Sequence, residues 1–547
     1  MIVLRLDNVT FSHPGGLILE NLTWAIQDTA KVGLVGPNGA GKSTILKLLA
    51  GQLTAESGFV VAAKGVIVGY LPQEVSLDST KTVLAEALTA SPRLAEIEVE
   101  LQKVMAALSD PAVYSDEQAL TQALDQQNRW LAAYAEAGGL SYENTVKATL
   151  RRLGFNDSDF TLFTAVLSGG QKKLLALAKL AITQPTVLLL DEPDNHLDLK
   201  GKTYLEKFVR SYPGAVIVVS HDRYLLDEIA DGIMELTGGQ LDFYTGNYSA
   251  YVTEKELRRL RQAQLYAAQQ KEITRLEAAI ARFELWASLV VNERHIKQAR
   301  NKRRQIERMD KVDKPLEQKS MDLYLSGWRG SDKVLEIIDL VKVFDDDVLL
   351  VGVNLLLWHG ERVGLIGPNG AGKSVLFRCI MGEEKPTAGI IKVGPSVKMG
   401  IYTQEHQSLA YGKDLIETVR EVKPMYEDEA VAFLGKFLFP YQKAKEQTVG
   451  SLSGGERSRL QMALLMLQQP NFLLLDEPTN NLDIQSAEVL EQALDEFNGT
   501  VLVISHDRYF LDKVVDRIVE LDPNQGVLTE HLGGYTDYLA ARPSTLA

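Results

Sequence analysis

Gly36-Pro37-Asn38-Gly39-Ala40-Gly41-Lys42-Ser43-Thr44 decides the fold, because it returns almost unchanged as Gly367-Pro368-Asn369-Gly370-Ala371-Gly372-Lys373-Ser374-Val375. Each copy follows a short apolar run, Val32–Val35 or Val363–Ile366, and precedes a stretch with helical spacing. A strand, a glycine-rich turn and a helix in that order read as a phosphate-binding loop. The glycines let backbone N–H groups turn inward, and the helix start adds the positive end of its dipole. Lys42 and Lys373 would reach the β- and γ-phosphates of ATP, and Ser43 and Ser374 would bind Mg²⁺. Two copies in 547 residues predict two nucleotide-binding α/β domains.

Other segments repeat in step. Leu167-Ser168-Gly169-Gly170-Gln171 returns as Leu452-Ser453-Gly454-Gly455-Glu456, Asp191-Glu192-Pro193 as Asp476-Glu477-Pro478, and Ser220-His221-Asp222-Arg223-Tyr224 as Ser505-His506-Asp507-Arg508-Tyr509. The first glycine lies 37 residues before Gln73 or Gln404, each Ser of the LSGG lies 23 before its Asp, and each Asp 30 before its His. One interval differs: 95 residues separate Gln73 from Ser168, against 49 between Gln404 and Ser453. The first copy therefore carries an insertion of 46 residues. Leu94–Leu108 and Glu117–Ala135 hold Leu, Ile and Ala at helical spacing around the turn cluster Ser109–Asp116. That pattern predicts a helical arm spanning roughly residues 80–137.

The two apolar runs ending in Asp-Glu read as buried strands. Asp191 and Asp476 would serve the Mg²⁺ shell, and Glu192 and Glu477 would polarise the attacking water. His221 and His506, each after a predicted strand and at one fixed distance from the acidic pair, suit contact with the γ-phosphate. The equal spacing of Gln73 and Gln404 suits a metal and water-orienting role. Phe11 and Phe344 precede their loops by 25 and 23 residues, and either stack on adenine or face the core.

The formal net charge is −14, so any contact with nucleic acid must come from a local basic segment. The one cysteine, Cys379, excludes an internal disulfide framework and a cysteine-based metal site. The start, MIVLRLDNVTFSHPGG, lacks a basic segment followed by an apolar one, so no signal peptide is expected. Apolar runs such as Val187–Leu190 and Ala215–Val219 are strand-sized, well short of the roughly 18–20 residues of a membrane span. Between the repeats, Thr253–Lys314 has no Pro or Gly and high helix propensity, predicting two long helices with a tip near Trp286–Asn292. Val252–Leu316 holds 16 Lys and Arg against 9 Asp and Glu. The basic residues crowd the second helix as Arg294, Lys297, Arg300, Lys302, Arg303, Arg304 and Arg308, where RNA phosphates are the expected partner. The expected division is a first domain over 1–246, a linker over 247–330 and a second domain over 331–547.

With P-loop, Gln, LSGG, Asp-Glu and His in this order, the chain resembles ABC ATPases across both halves. Twin domains, Asn195-His196-Leu197-Asp198 and Asn480-Asn481-Leu482-Asp483, the arm and the charged linker make it similar to the ABC-F subfamily. The resemblance implies two composite ATP sites, Lys42 with Ser453, Gly454 and Gly455, and Lys373 with Ser168, Gly169 and Gly170. It implies a cytoplasmic monomer whose two domains form an intramolecular sandwich, with no membrane subunit. It further implies binding at the ribosomal E site in the ATP-loaded form, against rRNA and large-subunit proteins, with the linker pointing toward P-site tRNA and the peptidyl-transferase centre. Asp194 departs from the usual Thr, which Thr479 keeps; Val375 departs from the usual Thr after Ser374. An energising subunit of a membrane transporter and a DNA-repair ATPase are the alternatives, and the arm and basic linker argue against the first.

Overall fold

The computed structural model describes residues 1–13, 16–109, 117–289, 293–309, 312, 321–344, 347–403, 409–522 and 526–541. It divides into two compact units, Met1–Phe243 together with Ser320–Ala547, and Tyr244–Lys319. The larger unit contains both repeats, each an α/β domain of the expected kind.

In the second repeat the strands run in the order Met399–Tyr402, Phe472–Asp476, Thr500–Ile504, Arg362–Ile366, Arg517–Leu521 and Leu528–Leu532, parallel except for the last pair. In the first repeat Val68–Leu71, Val187–Asp191, Ala215–Val219, Lys31–Val35, Gly232–Thr237 and Gln240–Thr245 repeat that order, the first five pairing in parallel. Val187–Asp191 and Ala215–Val219 are buried at every position, as a parallel strand covered on both faces requires. Alternate residues feed separate cores. Val187, Leu189, Ile217 and Val219 pack with the helix Lys42–Leu49 and an antiparallel sheet of Gly16–Gln27, Ile2–His13 and Ser57–Ala62. Leu188, Leu190, Val216 and Val218 pack with Leu174–Ala178, Leu205 and Val209 on the other face. The period-2 geometry of a strand thus makes one run of sequence hold a three-layered domain together.

The inserted arm contains the helices Pro92–Leu108 and Glu117–Glu136, packed on each other through Leu94, Ile97, Val104 and Ala123. These bounds agree with the expected ones; the turn between them lies outside the described residues. Ser91 caps the first helix by accepting from the N–H of Leu94, and Pro92 sits where a missing N–H costs nothing.

The smaller unit contains the helices Tyr248–Leu289, of 42 residues, and Glu293–Glu307, of 15. They pack together and bury Leu276, Ile280 and Ala299. The second is shorter than the long helix expected: regular bonding stops where Met309 N–H donates to Ile306 O, a turn tighter than the α-helical one. Arg294, Lys297, Arg300, Arg303, Arg304 and Arg308 are exposed and Lys302 is half-buried. Arg303 pairs with Glu284 at 2.5 Å, an exposed contact of little energetic weight. No described helix is long and apolar enough to cross a membrane.

Candidate active site

Each P-loop turns between the strand and the helix that the sequence predicts. Gly41 adopts φ 103° at the helix start, and a Cβ there would lie 2.5 Å from Ile18 Cγ2, so both backbone and space demand glycine. The Lys42 ammonium donates to Gly36 O at 2.7 Å and Pro37 O at 3.1 Å; Lys373 does the same to Gly367 O and Pro368 O at 2.6 and 2.9 Å. Burial lowers the pKa of both lysines, opposed first by Glu192 and Glu477 respectively.

Ser43 Oγ donates to Asp191 Oδ1 at 3.1 Å, and Tyr70 Oη donates to Asp191 Oδ2 at 3.1 Å. Glu192 follows at φ 47°, in the left-handed region that few non-glycine residues adopt, and Glu477 repeats it at φ 49°. Gln73 Nε2 and Asn195 Nδ2 donate to Glu192 Oε2 at 2.7 and 2.5 Å. Gln404 lies outside the described residues. Burial raises the pKa of Glu192, reinforced by Asp194 and Asp191; burial and then Asp476 push Glu477 up to about 7. His221 Nε2 stands 3.9 Å from Glu192 Oε1, and His506 Nε2 stands 3.6 Å from Glu477 Oε1. Burial and then Lys42 hold His221 down to about 3, and burial with Lys373 and Lys202 holds His506 well below the usual imidazole range. Both imidazoles are neutral, so each keeps one donor and one acceptor nitrogen.

The two domains face each other across a cavity of about 970 Å³. It is lined by Lys42, Ser43, Gln73, Glu192 and His221 from one side and by Lys373, Ser374, Asp476, Glu477 and His506 from the other, with Ser168, Gly169, Ser453, Gly454 and Gly455. Asn38 N–H donates to Asp483 Oδ2 at 3.2 Å and Asn38 Nδ2 to Asn481 O at 3.0 Å; Asn369 makes the mirror contacts to Asp198 Oδ2 at 3.3 Å and His196 O at 3.0 Å. Each aspartate also caps its own helix, Asp198 through Gly201 N–H and Asp483 through Ser486 N–H. The loop after one acidic pair therefore fixes both its own helix and the opposite P-loop. A Cβ on Gly455 would lie 3.0 Å from Asn38 Nδ2, which sets the second domain's LSGG beside the first P-loop.

Several features were not read from the sequence. Ile18 and Leu349 line the cavity, whereas Phe11 and Phe344 do not; Phe11 packs against the core and Phe344 lies beneath the Lys342 ammonium, 4.5 Å from its ring centre. The arginine of each Ser-His-Asp-Arg-Tyr crosses to the other domain. Arg223 makes a paired bond to Glu491, and Arg508 binds Glu206 at 2.7 Å. Lys202, buried, donates to Asp222 Oδ2 at 2.7 Å and across the interface to His506 O at 2.8 Å. Sequence spacing within one repeat carries no sign of partners in the other.

A family model described as ABC transporter matches residues 19–195 and 350–480, and a second with the same description matches 234–324. The chain is 38% identical over 552 residues to "Putative ATP-binding protein YdiF" of Bacillus subtilis (strain 168), covering 100% of this chain and 84% of that protein. It is 35% identical over 543 residues to "ABC transporter F family member 5" of Arabidopsis thaliana, covering 98% and 77%. It is 35% identical over 540 residues to "Energy-dependent translational throttle protein EttA" of Escherichia coli (strain K12), covering 97% and 93%. Among solved structures, the fold is similar to one titled as the complex of archaeal ribosomal stalk protein aP1 and archaeal ribosome recycling factor aABCE1. The TM-score is 0.57 at 20% identity, covering 98% of this chain and 92% of that one.

Proposed function

This chain belongs to the F family of ABC ATPases, and from that membership we propose that it couples its ATP cycle to the translating ribosome. It is an ATP hydrolase. In the proposed assignment Lys42 and Lys373 bind the β- and γ-phosphates, and the opposite Ser453 and Ser168 close over them. Glu192 and Glu477 orient and deprotonate the attacking water, for which their raised pKa values suit them. His221, neutral and with both ring nitrogens lacking a hydrogen-bond partner, and His506, neutral and with Nδ1 lacking one, are in a form that can donate to the γ-phosphate. Ser43, Asp191 and Gln73 fit Mg²⁺ in one site, and Ser374 and Asp476 fit it in the other: the 3.1 Å contact between Ser43 Oγ and Asp191 Oδ1 already converges two hard oxygens. Mg²⁺, when bound, neutralises charge on the β- and γ-phosphates.

The observation that carries the ribosomal reading is the near full-length likeness to a protein named as an energy-dependent translational throttle. The exposed arginines and Lys297 of Glu293–Glu307, with Arg308, support it, since an otherwise acidic protein needs such a surface to meet RNA phosphates. In this reading the ATP-closed form occupies the E-site region, and the linker, 247–330 between domains over 1–246 and 331–547, reaches toward P-site tRNA. Hydrolysis then releases the protein, which works in the cytoplasm as a monomer.

The test is pelleting of a Glu192→Gln/Glu477→Gln protein with ribosomes and ATP, with and without charge reversal of Arg300, Arg303 and Arg304. The parent protein should pellet and the reversed one should not, with affinity falling steeply between two salt concentrations. ATPase without ribosomes should survive the reversal. Equal pelleting of both forms at each salt would refute the RNA contact.

A further inference from the structure

From the LSGG to the Ser-His-Asp-Arg-Tyr segment the two domains match position for position, so a buried difference there is informative. Asp194 and Lys202 of the first domain stand where the second has Thr479 and Ala487. Both are nearly enclosed, at 5% and 7% exposure. Burying one charge is costly, and burying two of opposite sign together limits the cost. Burial disfavours the Lys202 ammonium, but Asp222, Asp194 and Asp507 outweigh it and hold its pKa above the usual lysine range. Lys202 is therefore charged, and beside Asp222 it donates to the carbonyl of His506 in the opposite domain at 2.8 Å. His506 N–H in turn donates to Glu477 Oε2 at 3.2 Å.

We propose that Lys202 is a positioning residue for the ATP site built on Lys373 and Glu477, acting across the domain interface through the backbone of His506. Lys202 donates to the carbonyl of His506 while Glu477 accepts from the N–H of the same residue. The ammonium thereby fixes where the imidazole and the carboxylate stand relative to the γ-phosphate. The site built on Lys42 and Glu192 has no such support, because Ala487 cannot reach the His221 carbonyl. The two ATP sites are then inequivalent by construction. Asp194 is the counter-charge that lets a lysine occupy this buried position, which gives the extra carboxylate after Glu192 a reason. This inference rests on the roles given above to Glu192 and Glu477.

The experiment isolates each site in the full chain with a single Glu→Gln change and follows one round of ATP hydrolysis with enzyme in excess. Lys202→Ala alone leaves Asp194 and Asp222 buried without their cation and can unfold the domain, so Lys202 is removed in an Asp194→Thr background. The effect of Lys202 is the difference between Asp194→Thr and Asp194→Thr/Lys202→Ala. In the Glu192→Gln protein, where the Lys373 site works alone, that difference should be about a tenfold fall in the rate constant at saturation, with less than about a twofold change in the half-saturating concentration. In the Glu477→Gln protein, where the Lys42 site works alone, the rate constant should change by less than about twofold. A merely structural lysine would affect both backgrounds alike or shift the half-saturating concentration. Equal effects, no effect in the Glu192→Gln protein, or no product from that protein at all would each overturn the proposal. Product from a Glu192→Gln/Glu477→Gln protein would instead overturn the site assignment on which it rests.

Discussion

Replacing Arg223 with Ala should weaken closure of the two domains far more than it weakens the fold of either. Arg223 is 3% exposed and Glu491 is fully buried. Their two bonds join guanidinium and carboxylate side by side, and the guanidinium also lies 3.9 Å over the ring of Tyr509. Breaking a buried ion pair from one side costs about 3–5 kcal/mol, and losing a partly desolvated cation–π contact adds about 1 kcal/mol. Lys513, at 3.1 Å from Glu491 Oε2, remains and offsets part of that loss. A net penalty of roughly 3 kcal/mol is therefore expected, equivalent to about a hundredfold. The pair spans the interface, so the penalty falls on the closed form; in separated domains both side chains meet water. The assay is small-angle scattering of the Glu192→Gln/Glu477→Gln protein against ATP concentration. The midpoint of compaction should rise by about two orders of magnitude for Arg223→Ala, and Arg223→Ala/Glu491→Ala should recover more than half of that on the free-energy scale. Losses that simply add, within about 0.5 kcal/mol, would refute a direct coupling between the two side chains.

Glu477→Gln should stabilise the nucleotide-free protein in a pH-dependent way. Its folded pKa of about 7 lies above the ordinary glutamate value of about 4.5, so its contribution is intact below about pH 4.5 and is lost as pH rises through 7. At pH 8 the amide should stabilise by something on the order of 2 kcal/mol, read as a higher urea midpoint, and the gain should fall to about a quarter of that at pH 5. Gly455→Ala would bring a Cβ 2.8 Å from Asn481 O and 3.0 Å from Asn38 Nδ2, so it should impair the Lys42 site. In a Glu477→Gln background its single-round hydrolysis should fall about tenfold or more, while in a Glu192→Gln background it should change little.

The parts of the site that were legible in the sequence are those whose chemistry is local. A P-loop is one strand, one turn and one helix start, and the motif contains all three. The acidic pair ends a strand whose five residues are all apolar or acidic, and the arm helices announced themselves by spacing because each must bury one stripe. What stayed hidden is long-range. Arg223 and Glu491 are 268 positions apart, and Lys202 and His506 are 304 apart. Nothing in a repeat's own periodicity states which residue of the other repeat it will meet. Asn38 illustrates the boundary: the loop motif placed it in the P-loop, but that its backbone N–H meets Asp483 and its side-chain amide Asn481 of the opposite domain was not readable from the motif. Asp194 was visible as an oddity, but its reason required Lys202, which no motif contains.

Fusion of two domains in one chain is what permits such an oddity. A symmetric dimer of identical domains would make every interface contact twice, so a residue that helped one site would appear in both. Here the contacts that hold the P-loops are kept in both directions, at 3.2 and 3.3 Å. The arginine pairs are also kept in kind but not in support. Glu491 receives both Arg223 and Lys513, while Glu206 receives Arg508 and feels the opposing charges of Asp222 and Glu228; burial and those carboxylates leave its pKa raised. Glu228 occupies the position that matches Lys513. The pair on Glu206 is therefore the weaker restraint, because one of its neighbours repels where the other pair's neighbour attracts. Arg223, which belongs to the domain of Glu192, makes the stronger crossing, and Lys202 of that same domain braces His506 of the other. Both asymmetries thus concentrate interdomain restraint in contacts that the first domain's side chains make to the second.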